Sequence, residues 1–104
     1  MPYAAVKWKP VAVLMRDSAY AILEALTTGP KSWTELKKAA SLTDGGVQKV
    51  LQELIRFRVV EQRLVGETTA IQEKKYVLSD VAKKEKVYEK ARDLKQSMEK
   101  IAKT

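Results

Sequence analysis

The residues from Thr43 to Gln52 carry side chains suited to contact with another molecule. Gln48 and Gln52 are four positions apart, so they share one face if this segment is helical. A glutamine amide donates and accepts hydrogen bonds and can pair with the edge of adenine, and Lys49 can reach guanine or a phosphate. This set of residues indicates binding chemistry directed at a nucleic acid.

Two glycines precede these side chains, and two interpretations of them are open. Gly45 and Gly46 each cost about 1 kcal/mol of helix stability relative to alanine. They allow close backbone approach, in which N–H groups at a helix start meet a phosphate. Alternatively, they only ease a tight turn. Asp44 beside them would repel phosphate unless it caps the helix or accepts a hydrogen bond from cytosine.

Further candidate contacts lie before and after this segment. Lys37 and Lys38 are equally well interpreted as solvated charges, and Trp33 is expected to pack in the core. Glu67 and Glu73 are alternative partners for the lysines that follow them. The candidates for contact with DNA before the segment are Ser32, Thr34, Lys37 and Lys38, and those after it are Arg63, Thr68, Thr69, Lys74 and Lys75.

Capping signals define the elements that must position these residues. A first helix is expected within Val11–Thr28, with Asp17 as an alternative, later cap, and it ends before Pro30. Ser32 and Glu35 have capping-box spacing, and Thr34 is an alternative cap for the same helix. Thr43 can cap the next helix, in which apolar residues recur at helical spacing up to Ile55.

The remaining pattern predicts a β-hairpin and a last helix. Val59 to Val65 form the first strand, residues 66–69 the turn and residues 74–78 the return strand. Ser79 or Asp80 then caps a helix that reaches almost to the end of the chain. Helix, turn, helix and hairpin in this order predict a winged helix-turn-helix, whose second helix enters a DNA groove. The fold class is mainly α with a small β-hairpin wing.

The composition excludes several kinds of chemistry. The 104 residues include no Cys and no His, which excludes thiolate and imidazole metal sites and nucleophiles. No catalytic constellation is visible, so we expect no enzyme, no metal and no cofactor. The formal charge of +7 favours a polyanionic partner. No membrane span or signal peptide is evident, and we expect a cytoplasmic protein without a membrane partner.

Residues 17–84 resemble the HxlR, ArsR and MarR group of prokaryotic and archaeal winged-helix regulators. The resemblance lies in GPKSWTELKKA and LTDGGVQKVLQELIRFRVVE, and Tyr76–Ser79 resembles the closing wing strand. Arg58 departs from the family, which usually has glycine there, and Asp44 to Gly46 stand where base-contacting side chains are expected. The matching positions are Val47, Leu51, Leu54, Val59, Val60 and Glu61.

The last helix carries an apolar stripe typical of a dimer interface. Its members are spaced as the a and d positions of a coiled coil, although a helix folded back on its own domain would show the same stripe. Trp8 is expected to pack on this domain or on a partner subunit. The predicted homodimer interface consists of Trp8, Val87, Ala91, Leu94, Met98 and Ile101.

We therefore expect a single domain over 1–104, with a winged helix-turn-helix core at 11–78 and a coiled-coil-like helix at 79–103. The favoured function is a dimeric transcriptional regulator that binds double-stranded DNA with a recognition helix at about 43–57. One alternative is an architectural, chromatin-like DNA-binding protein of low sequence preference. Another is a winged-helix module that binds protein, against which the polar residues Gln48, Lys49 and Gln52 argue. The sequence does not specify a small-molecule effector.

Overall fold

The computed structural model of the protein describes residues 8–66 and 73–104. Within these ranges the chain forms six helices and two strands, which confirms the predicted fold class. None of these helices has both the length and the apolar composition needed to cross a membrane. The elements are α1 (Trp8–Leu14), α2 (Asp17–Leu26), α3 (Trp33–Ala40), α4 (Asp44–Arg56), β1 (Val60–Val65), β2 (Glu73–Leu78), α5 (Asp80–Lys84) and α6 (Val87–Ala102).

A capping box starts α3, as the sequence predicts. The Ser32 Oγ accepts a hydrogen bond from the Glu35 backbone N–H at 3.1 Å, and the Glu35 carboxylate accepts one from the Ser32 N–H at 3.0 Å. The hydrogen bond from the Ser32 backbone, followed by that from its side chain, lowers the pKa of Glu35. Thr34, the alternative cap, lies inside the helix instead.

The predicted first helix is two helices. The first of these, α1, begins at Trp8, before the predicted start. Pro10 lies in its first turn, where backbone N–H groups have no partner within the helix, so the missing N–H of proline costs nothing. Helix α2 then starts after Arg16, whose backbone is extended. Val13 and Ala19 are both buried in the core. At about 100° per residue, two positions six residues apart lie about 120° apart around one continuous helix, so the break lets both face inward.

The predicted last helix is also broken. The short helix α5 buries Ala82, and Lys86 then adopts a left-handed backbone conformation with φ of 55°. The turn redirects the chain so that Val87 and Tyr88 pack against the core. Only α6 therefore projects as the long C-terminal helix, although it ends close to the predicted position.

The wing is an antiparallel pair of strands with a third segment at one edge. Strand β1 pairs with β2 in a register that runs from Val60 opposite Leu78 to Val65 opposite Glu73. Lys31 pairs with Tyr76 on the other edge of β2, through N···O distances of 3.0 and 2.8 Å. Most of the predicted turn, including Thr68 and Thr69, lies outside the described residues.

The core lies between the helices and the inner face of the wing. Trp33 is half-buried against it, as expected for a packed tryptophan, and Leu42 is half-buried against it as well. The α4 positions that carry the sequence resemblance, Val47, Leu51 and Leu54, are all buried. The fully buried large side chains include Val13, Ile22, Leu23, Leu36, Val47, Leu54 and Val60.

Arg58 and Ser79 together connect α4, the wing and α5. Arg58 has a φ of 62°, a left-handed conformation that glycine adopts more readily than other residues. The Ser79 hydroxyl donates to the Arg58 carbonyl at 2.6 Å and accepts from the Ala82 N–H at 3.0 Å. Ser79 is almost fully buried. One hydroxyl thus caps α5 and fixes the turn that ends α4.

We expect Ser79→Ala to destabilise the fold by about 2 kcal/mol, since it removes a helix cap and leaves a carbonyl in poorly hydrated surroundings. For a domain of this size the melting temperature should fall by roughly 10 °C in a thermal unfolding experiment. Ser97→Ala is the matched control, because Ser97 is exposed in the middle of α6. Equal melting temperatures for the two variants would contradict the role of Ser79.

Candidate nucleic-acid interface

Helix α4 presents a polar face away from the core. Gln48, Lys49 and Gln52 are exposed, while the opposite face of the helix is buried. Thr43 caps the helix, with its Oγ1 accepting a hydrogen bond from the Gly46 N–H at 3.1 Å. The helix is therefore held firmly with its three candidate base-contacting side chains directed into solvent.

The two glycines at the start of α4 are in different surroundings. A Cβ at Gly46 would lie 3.2 Å from the Thr43 Oγ1 and 3.5 Å from the Leu42 side chain, so this glycine makes room for the cap. A Cβ at Gly45 would meet nothing within 4 Å. Gly45 does not need a left-handed conformation either. The fold thus gives a reason for Gly46 and none for Gly45.

An ion pair links α3 to the first turn of α4. The Lys37 ammonium contacts the Asp44 carboxylate and lies 5.7 Å from the centre of the Trp33 ring. Sequence inspection missed this pair, because residues seven apart across a turn do not follow helical spacing. The pair offsets the charge that Asp44 would present to a phosphate, and it occupies a lysine predicted to contact DNA directly.

The other candidates on α3 border the same region. Thr34 and Lys38 are exposed and, with Lys37, Ser41 and Leu42, they line an open groove of about 420 Å³. Ser32 is already engaged in the capping box, so its hydroxyl accepts a hydrogen bond from its own helix. The structure therefore gathers Thr34, Lys37 and Lys38 beside the start of α4 and assigns Ser32 a structural role.

Ion pairs engage two of the three cations of the wing. The Arg63 guanidinium donates to the Glu61 carboxylate at 2.9 and 3.2 Å and lies 3.6 Å from Asp80. The hydrogen bond to Glu61 raises the pKa of Arg63. The Lys75 ammonium lies 4.0 Å from the Glu73 carboxylate. Lys74 is exposed and forms no ion pair within the described part of the chain.

The formal charges of the wing cancel. Between Val59 and Leu78 the sequence has three acidic residues (Glu61, Glu67 and Glu73) and three basic ones (Arg63, Lys74 and Lys75). The pairing of Lys75 with Glu73 agrees with the alternative raised from the sequence, and Glu67 lies outside the described residues. The wing is thus much less cationic than its lysines and arginine alone suggest.

The apolar stripe of α6 is packed at one end and exposed at the other. Val87 packs against the core and Ala91 is half-buried, whereas Leu94, Met98 and Ile101 are exposed, the last at 65%. Trp8 is 77% exposed at the start of α1. Only the first part of the stripe therefore folds back on its own domain, and the rest remains available.

A tyrosine pair fixes α6 to α2. The rings of Tyr20 and Tyr88 lie 5.4 Å apart between centres, and their hydroxyl oxygens are 3.4 Å apart. The Tyr88 hydroxyl also donates to the Glu24 carboxylate at 3.1 Å. The hydrogen bond with Tyr20 and then partial burial raise the pKa of Tyr88 well above its usual value. These contacts set the direction in which α6 leaves the domain.

Solved structures of other proteins share this fold. No protein-family model matches the chain, and no curated protein sequence matches it significantly. A transcriptional regulator of the MarR family from Enterococcus faecalis V583 has a TM-score of 0.68 at 17% identity, with 98% of this chain and 96% of that chain covered. Diamide-treated YodB from B. subtilis has a TM-score of 0.66 at 17% identity, over 91% and 96%.

A third structure is the homodimeric winged helix-turn-helix DNA-binding domain of Mb0332 from Mycobacterium bovis, a possible ArsR-family regulator. Its TM-score is 0.63 at 17% identity, with 89% of this chain and 78% of that chain covered. The MarR and ArsR groups are two of those that the sequence resembles. The similarity to these regulators confirms the predicted winged helix-turn-helix fold.

Proposed function

We propose that the protein binds double-stranded DNA through α4 and acts as a dimeric transcriptional regulator. The observation that carries this proposal is the exposed face of Gln48, Lys49 and Gln52 on a helix whose other face is fixed in the core. A formal charge of +7 supports a polyanionic ligand. The regulators of the same fold support transcriptional control as the setting.

The interface we propose centres on α4 and the groove beside α3. Gln48 and Gln52 would read base edges in the major groove, while Lys49, Lys38 and Thr34 would contact phosphates. The wing contributes less, because Arg63 and Lys75 are already paired with carboxylates. Of its described cations, Lys74 remains the candidate for a phosphate contact.

A specific observation favours the architectural alternative as a second candidate. In the first turn of α4, Asp44 is paired with Lys37 and the next two residues are glycines. Base-reading side chains are therefore limited to a few later positions, as expected for a protein of low sequence preference. The protein-binding alternative has less support, because the exposed face of α4 is polar.

We propose that α6 forms the dimer. Leu94, Met98 and Ile101 continue the stripe beyond the domain, and an open apolar groove of about 210 Å³ runs between α1 and α6. A second copy of α6 would cover both. Two recognition helices in such a dimer would enter successive major grooves about 34 Å apart.

Lys49→Ala and Gln48→Ala should differ in their effect on DNA binding. Loss of a phosphate contact at Lys49 should weaken all sequences alike and reduce the log–log salt slope by about 0.9 per contact. Loss of a base contact at Gln48 should cost about 1–3 kcal/mol on the best site and little elsewhere. Fluorescence anisotropy on several duplexes across a range of salt concentrations measures both.

The matched control for Lys49→Ala is Lys100→Ala, which removes the same charge near the far end of α6 and should leave the slope unchanged. Equal and small losses on every duplex for Gln48→Ala would favour the architectural candidate. Full affinity on all duplexes for both α4 variants would contradict an interface on this helix.

Gly45→Ala should separate stability from binding. The change should stabilise the protein by about 1 kcal/mol, since the new methyl group meets nothing within the chain. DNA affinity should nevertheless fall, because the methyl group blocks close approach of the helix start to a phosphate. Gly46→Ala is the comparison variant, in which crowding of the Thr43 cap offsets the gain in helix propensity. A stabilised Gly45→Ala protein with unchanged affinity would show that no close approach occurs.

Leu94→Lys combined with Met98→Lys should give a monomer in sedimentation at low micromolar concentration. Both side chains are exposed, so the substitutions remove no core contacts. The melting temperature of the monomeric domain should therefore be nearly unchanged. Gln96→Lys adds a charge on the other side of α6 and should leave the dimer intact. A double variant that remains dimeric would place the interface elsewhere.

A further inference from the structure

The exposed large apolar side chains fall into two groups. One group lies on α1 and α6, where the proposed dimer covers it. The other group surrounds the wing and has no role in that dimer: Ile55 at the end of α4, Leu64 on β1 at 63% exposure and Val81 on α5 at 64%. Ile55 and Val81 border one groove beside β1, and Leu64 lies farther along the same strand, so exposed apolar side chains follow this side of the sheet.

Among residues 8–66 and 73–104, no strand pairs with the outer edge of β1, which lies beside these side chains. The backbone N–H and C=O of Tyr76 bond to Lys31, so they point away from β1. Gln62 is opposite Tyr76 and therefore directs its own N–H and C=O away from β2, and Leu64 does the same two residues later. The hydrogen bond from the Ser79 N–H to the Val59 carbonyl, at 2.9 Å, agrees with this alternation.

An open groove of about 600 Å³ runs beside this edge. Val60, Glu61 and Gln62 line it from the strand, and Ile55 and Val81 line it from α4 and α5. Side chains of consecutive strand residues alternate between the two faces of a sheet. Three consecutive residues can therefore border the same groove only if the groove runs along the edge of the strand. The groove thus offers space beside unpaired backbone groups, with apolar side chains at its margin.

We propose that β1 pairs with β1 of a second copy of the chain, antiparallel and centred on Gln62. This register makes a strand pair whose charges are complementary. Glu61 of each chain lies opposite Arg63 of the partner subunit, so the same charge pair forms twice. Asp80, 3.6 Å from Arg63, adds a second anion near the same position. Leu64 of the partner subunit lies opposite Val60, in the groove bordered by Ile55 and Val81.

The chemistry of the edge favours protein over DNA as the occupant. The wing carries no net formal charge, and Glu61 offsets the charge of Arg58 where both line the groove, so the groove offers a phosphate no net positive charge. Backbone hydrogen bonds between the two Gln62 residues, and between Val60 of one chain and Leu64 of the other, satisfy N–H and C=O groups that an edge strand leaves unpaired. If α6 also forms a dimer as proposed above, the two separate two-fold contacts join dimers into a row. The wing contact itself depends on neither α6 nor DNA.

A charge-swap experiment on the full chain tests the proposal. Glu61→Arg places like charges opposite each other in a pair of identical chains, and Arg63→Glu does the same with the opposite sign. In sedimentation at high protein concentration, wild-type α6 dimers should associate further. Each single variant should show this further association at least about tenfold more weakly. A mixture of the two variants, and the double swap Glu61→Arg with Arg63→Glu, should regain association. A mixture that associates no better than either variant alone would overturn the proposal.

Amide hydrogen exchange on the wild-type protein gives a second test that requires no variant. The N–H groups of Gln62 and Leu64 should become protected as protein concentration rises without DNA, while the amide of Gly45, exposed at the start of α4 and outside both proposed protein contacts, serves as a reference. Protection that appears only with duplex DNA or with another protein would assign the edge to that partner and overturn the proposal. Persistently unprotected amides at concentrations where the chain associates would also overturn it.

Discussion

The buried Ser79 hydroxyl joins the three parts of the molecule that a DNA-binding role requires. It holds the Arg58 carbonyl just after α4, follows directly after the second wing strand and caps the first turn of α5. The left-handed turn at Arg58 depends on this contact, because an L-residue in that conformation costs about 1–2 kcal/mol and needs compensation. Wing position, helix position and the entry into the C-terminal segment are thus set by one side chain.

Capping and apolar periodicity were sufficient to predict α3, α4, the wing strands and their order. Ser32, Glu35 and Thr43 act through neighbours three residues away, so their roles can be inferred from the sequence. The breaks after α1 and before α6 could not be inferred in the same way. Lys86 adopts a left-handed conformation that its residue type does not predict, and the first break depends on which side chains reach the core.

The candidate site shows the same division between local and distant interactions. Exposure of Gln48, Lys49 and Gln52 follows from helical spacing alone. The Lys37–Asp44 pair and the contacts of Tyr88 with Tyr20 and Glu24 depend on how separate helices pack, and no short-range rule predicts them. Those contacts change the electrostatic interpretation, because they remove charges from the set that a ligand would meet. The base-contacting roles and the dimer interface remain predictions.

The tyrosine contact has a mechanical consequence for the proposed dimer. Helix α6 is about 24 Å long at roughly 1.5 Å per residue, and near its start Tyr88 contacts α2. A rotation of about 10° at that contact would move the far end of the helix by roughly 4 Å. In a dimer held through the exposed half of α6, the same rotation changes the separation of the two recognition helices. In the proposed DNA-bound dimer, the Tyr20–Tyr88 stack would therefore govern how much spacing variation between two half-sites is tolerated.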